Sequence, residues 1–83
     1  MPYVKKEQRI SMNTEIKDIP LGGAGNLNYT LTTICQYYLK LHGLKYATIN
    51  DIVGALEGAK IEFYRRVATP YEEEKIMQNG DVY

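Results

Sequence analysis

A chain of 83 residues, 45% of them hydrophobic, can build one small core but not two, and it is only just above the size at which domains ordinarily need a disulfide, a metal or a second subunit. Cys35 is the lone cysteine and His42 the lone histidine, so an internal disulfide is excluded and a Cys/His metal site is not expected, which leaves oligomerisation as the stabiliser. Ten Lys/Arg against ten Asp/Glu argue against a protein that holds duplex nucleic acid by neutralising phosphates, and no apolar run approaches the ~18 residues of a membrane span.

The segment 1–9 has no hydrophobic stretch of the kind a signal peptide carries, and together with one unpaired cysteine this predicts a cytoplasmic protein. Charge is uneven along the chain. Lys5, Lys6 and Arg9 outnumber Glu7, and Lys60, Arg65 and Arg66 outnumber Glu62, whereas Glu72, Glu73, Glu74 and Asp81 make the end acidic. Such complementary segments suit contacts between subunits, head to tail or antiparallel, as readily as they suit a ligand.

Met12, Ile16 and Ile19 fall at i, i+4 and i+7, which predicts a first helix over roughly 5–19, ended by Pro20. LGGAGN at 21–26 reads as a flexible loop; no GK[ST] follows, so it is a connector rather than a phosphate loop. The segment from Leu27 to His42 carries two competing stripes. Helical spacing collects Leu27, Leu31, Ile34, Cys35, Tyr38 and Leu41; alternation collects Tyr29, Leu31, Thr33, Cys35, Tyr37, Leu39 and Leu41. Its length, the Asn at its start and Gly43 at a C-cap position favour a helix, against the β-branched Thr30, Thr32, Thr33 and Ile34.

Thr48-Ile49-Asn50-Asp51 reads as a capping signal, with Thr48 or Asn50 accepting from free amides. From there Ile49, Ile52, Val53, Leu56, Lys60, Phe63 and Val67 share one face of a helix about twenty residues long, the Lys60 stem lying along the apolar surface. Thr69-Pro70-Tyr71-Glu72 then predicts a restart, with threonine as N-cap and proline in the first position. That short helix runs to Asn79, with Gly80 as C-cap and Asp81-Val82-Tyr83 as an extended tail. Four helices are expected, two of them long.

Opposite the Leu56 stripe lie Gly54, Gly58, Ile61 and Arg65. Each glycine in a helix interior costs roughly 0.8 to 1.0 kcal/mol relative to alanine, and a missing side chain lets something approach the backbone. A second helix or subunit is the plainer occupant. The sharper alternative is a small anionic ligand over the Gly54/Gly58 floor, its phosphate met by Arg65, Arg66 and Lys60 and its base stacked on Tyr64 or Tyr71. Arg65 and Arg66 equally suit the negative end of a helix dipole and pairing with Glu62, Glu72 or Glu73.

Eight tyrosines against one phenylalanine and no tryptophan imply hydroxyls that reach water, partners or an interface. His42 has no partner nearby in sequence, Cys35 sits in an apolar stripe, and Glu72-Glu73-Glu74 open a helix where acids are favoured. These residues assemble no nucleophile, base and oxyanion donor, so no enzyme, no metal and no cofactor are expected.

NYTLTTIC, together with GALEGAKIEFYRRVATPYEEEKIMQNGDVY, resembles a family of small uncharacterised proteins of phages and bacteria, across about residues 27–83 and most visibly in the EFYRR, PYE and NGDVY blocks. The resemblance carries no mechanism. It implies a phage or mobile-element setting, in which compact oligomeric proteins that bind a host signal or host protein are a common type.

The combined expectation is an all-α domain over 1–83, a small helical bundle or hairpin: an N-terminal helix and Gly-rich loop over 1–26, then a helical core over 27–83. It forms a homo-oligomer through the Gly54/Gly58 face or the N-terminal helix. It acts as a non-catalytic binding protein in the cytoplasm of the host bacterium, sequestering a small anionic ligand such as a nucleotide signal of anti-phage defence. The alternative is a protein-interaction or virion-associated structural protein with no small ligand. Neither membrane nor non-specific nucleic-acid binding is expected.

Overall fold

The computed structural model describes residues 4–83 and divides into two units, one reaching to Ile34 and one from Cys35 to Tyr83. The described residues are all-α, with no strand among them. The part of the basic segment 1–9 that precedes residue 4 lies outside them.

In the first unit, α1 spans Lys6–Ile16. The Gln8 side chain accepts the Lys5 backbone N–H at 3.3 Å, and Glu7 sits in the first turn, where the helix dipole favours an acid. The helix stops short of Ile19. The N–H of Asp18 bonds the Glu15 carbonyl and that of Ile19 the Ile16 carbonyl, so the last turn tightens to i→i−3 bonds before Pro20.

Helix α2 spans Ala24–His42 and so begins inside the expected glycine loop, which shrinks to 21–23. Gly25 and Asn26 are helical, and the Asn26 side-chain amide reaches back to the Pro20 carbonyl at 3.2 Å, a link that pins the short connector. The competition between helix and strand resolves as helix. Thr30 Oγ1 donates to the Asn26 carbonyl at 2.8 Å and Thr32 Oγ1 to Asn28 Oδ1 at 3.3 Å, so these β-branched residues satisfy their hydroxyls within the helix itself.

In the second unit, α2 ends where expected. Gly43 takes φ +87°, a left-handed value natural to glycine, and its N–H bonds the Leu39 carbonyl at 2.7 Å. Helix α3, Tyr46–Phe63, starts ahead of the expected cap, with extended Lys45 at the N-cap and no side-chain cap bond. Thr48 is therefore inside the first turn, buried at 1% exposure, and its Oγ1 finds no hydrogen-bond partner, so it does not cap.

The expected restart at Thr69 is not a separate helix. A π-helical turn, Tyr64–Ala68, joins α3 directly to α4, Thr69–Asn79, and the described residues hold three continuous helices rather than four. The cause is Pro70. In an α-helix its ring would clash with the Arg66 carbonyl and leave that carbonyl without its donor; a turn one residue wider accommodates both defects without ending the helix. Gly80, at φ +84°, then closes α4 through a 2.8 Å bond to the Ile76 carbonyl, and residues 81–83 are non-helical.

No apolar side chain is buried among the described residues of either unit. The stripe expected to face a core is open: Val53, Leu56, Phe63 and Val67 are all exposed, and only Ile52 is half-buried. No helix among the described residues is long and apolar enough to cross a membrane.

Candidate functional site

Four of the seven residues singled out from sequence lie within or beside one surface of the third helix. Lys60, Tyr64 and Arg65 line an open groove with Glu57, Ile61 and Thr69. Arg66 lies next to it in the π turn, whereas Tyr71 is outside the groove and carries Lys75 Nζ over its ring at 5.4 Å from the centroid. Gly54 and Gly58 are not among the groove residues. A Cβ built on either meets nothing within 4 Å among the described residues, so none of these uses the clearance they provide.

Helix geometry supplies a partner for the arginines that sequence reasoning weighed only as one option. Glu62 accepts from Arg65 Nη2 at 2.8 Å through Oε1 and from Arg66 Nε at 2.8 Å through Oε2, at i+3 and i+4. The Arg66 and then the Arg65 hydrogen bonds hold its carboxyl well below the usual 4.5, at about 2. A guanidinium has five donors, so each arginine keeps donors for another acceptor while Glu62 fixes its orientation. Lys60 pairs more loosely with Glu57, at 3.9 Å. The side chains are solvent-exposed enough that these pairs orient more than they stabilise.

A second constellation escaped the sequence reading. Tyr38 donates its hydroxyl to Asp51 Oδ2 at 2.9 Å, tying the end of α2 to the start of α3, and the His42 ring lies 4.2 Å from the Tyr38 ring at 37°. The Asp51 hydrogen bond, then desolvation and the carboxylate charge, push the Tyr38 hydroxyl pKa up. The pair is thirteen residues apart across a turn, a separation with no local periodicity to reveal it.

With this geometry in place, the comparisons with known proteins decide the family. A family model described as a domain of unknown function, DUF6899, matches residues 1–82. The chain belongs to the DUF6899 family. The DUF6899 match takes in α1 and the glycine connector, which the resemblance read from sequence left outside. Searches of curated proteins and of solved structures gave no match to the DUF6899 chain. Among its described residues no group of three or more His, Cys, Asp and Glu is placed to hold a metal ion.

Proposed function

We propose that the chain is a non-catalytic helical interaction protein whose folded unit is a homo-oligomer, working in the cytoplasm of a phage-infected bacterium. One observation carries this: no apolar side chain among the described residues is buried, although Leu27, Leu31, Ile34, Leu56, Phe63 and Val67 form the regular stripes that helices bury. Isolated helices of these lengths are marginal in water, and most helix stability comes from packing an apolar face. A second copy offers the same stripes in self-complementary form, which is how symmetric oligomers cover them.

The test is helicity against concentration. Circular dichroism at 222 nm, followed through serial dilution over three decades, should fall as the oligomer dissociates, because the fold of an obligate oligomer depends on protomer concentration. Helicity and cooperative melting that stay constant down to the lowest concentration contradict self-assembly.

The groove at Lys60, Tyr64 and Arg65 favours a second reading, in which the oligomer sequesters a small anionic ligand such as a nucleotide signal of host defence. Two cations, a tyrosine ring and the Thr69 side chain are the groups a phosphate and a base would use. Glu62 already occupies donors of both arginines, so an incoming phosphate must share or displace it. Calorimetric titration with a panel of cyclic and linear nucleotides separates the readings: heat lost on Arg65→Ala supports the ligand, and no heat with any member at tens of micromolar protein removes it.

A further inference from the structure

The third helix carries one face that is complementary to itself. The groove puts Ile61, Arg65 and Thr69 on a common surface, and helical spacing of i, i+3 and i+7 places Thr69, Glu72 and Ile76 together beyond it. The π turn makes these two halves collinear. Eight residues along an α-helix rotate a side chain by roughly 80° from its starting line, and one extra residue in a wide turn cancels about that much. Ile61 is 56% exposed and Ile76 42%, and the basic pair at 65–66 is followed within one turn or two by the acidic run at 72–74.

We propose that two copies pair antiparallel along this face, with the two-fold axis passing between Ala68 and Thr69; this rests on the self-assembly reading and names its interface. The register follows from reflection of the numbering about that point. Ile61 of one copy meets Ile76 of the other, and Arg65 meets Glu72, each contact occurring twice as a two-fold interface requires. Charge complementarity selects the antiparallel register, because a parallel, in-register pair sets arginine against arginine and glutamate against glutamate. The small Ala68 and Thr69 at the crossing point admit close approach of the two helices. The Arg65 donors not engaged by Glu62 supply the contact to the partner carboxylate.

Cross-linking tests the register in a Cys35→Ser background, with mass measured on the same samples. Mixing Ile61→Cys with Ile76→Cys chains should give a disulfide-linked dimer at least tenfold faster than either variant alone. Arg65→Glu and Glu72→Arg should each shift the mass downwards, and the Arg65→Glu/Glu72→Arg chain, which restores both contacts, should recover it. If the unmutated protein is an oligomer but Ile61→Cys links to itself and not to Ile76→Cys, the antiparallel register is wrong while self-assembly stands. If the unmutated protein is a monomer, both ideas fail together.

Discussion

The backbone N–H of Thr69 donates to the carbonyl oxygen of Tyr64, five residues back rather than four. This bond marks the π turn that Pro70 imposes, and it sets which side chains of α4 continue the surface of α3. Pro70→Ala removes the ring clash and supplies the missing donor, a defect that costs about 3 kcal/mol in an ordinary helix interior. The variant should gain helix stability as a dilute chain yet lose assembly, because relaxing the turn rotates Thr69, Glu72 and Ile76 by roughly 100° away from Ile61 and Arg65. Circular dichroism together with chromatographic mass reads both effects; a variant that assembles as well as the parent shows that the π turn is not needed for the interface.

Gly54→Ala and Gly58→Ala make a similarly opposed pair of demands. No described residue lies where the new methyl groups would go, so each should favour the helix by roughly 0.8 to 1.0 kcal/mol. Where a second copy approaches the bare backbone, the same methyl is overpacked at a cost of about 1–3 kcal/mol, which weakens dimerisation about tenfold or more. Sedimentation equilibrium on the double variant decides: unchanged association places the interface elsewhere on the helix.

Glu62 predicts a specific acid sensitivity. Its carboxyl is depressed from 4.5 to about 2 in the folded chain, so the stability it contributes is present above its unfolded value and is lost as pH falls through the folded one. Melting temperature should drop across that window, from 4.5 down to about 2, and Glu62→Gln should flatten that part of the profile, leaving the neutral range nearly unaffected apart from a small loss that salt screens. Parallel profiles for the two proteins would show that the pairs to Arg65 and Arg66 do not form in solution.

Tyr38→Phe and Asp51→Ala each remove the same hydrogen bond between the end of α2 and the start of α3. Each should lower the melting temperature, and the double variant should lose no more than the worse single one, since groups sharing one bond are not additive. The raised Tyr38 pKa gives the alkaline counterpart: the bond is intact below the ordinary 10.0 and fails as pH rises through the raised folded value, read as the difference in tyrosinate absorbance at 295 nm between the parent and Tyr38→Phe. Additive losses in the double variant would separate the two residues.

Local chemistry was legible in the sequence. Gly43 and Gly80 were readable as helix ends because only a left-handed residue closes a helix that way, and both take positive φ. The helical character of 27–42 was readable from length and caps against contrary threonines. What misled was punctuation judged by residue type alone. LGGAGN looked like a loop throughout, but glycine is merely permissive, and the Asn26 bond to Pro20 lets the helix start at Ala24. Thr48 looked like a cap, yet the chain turns into a helix earlier, at Lys45, and leaves that hydroxyl enclosed. Thr69-Pro70 looked like a restart because a π turn has no signature in a periodic pattern; it reveals itself only as one residue too many between two stripes. Regular 3.6-residue spacing set Lys60 on the Leu56 stripe and Arg65 on the opposite side, so the groove that both line with Tyr64 was not legible from it, and the Tyr38–Asp51 bond joins residues on either side of the turn at 43–45.

Self-assembly is tested most directly by the mass of the unmutated protein in solution at tens of micromolar, by sedimentation equilibrium or light scattering. A mass of at least twice the 9.5 kDa of one chain, falling towards 9.5 kDa on dilution together with loss of helicity, is the predicted result. A single species of 9.5 kDa that still melts cooperatively would contradict it.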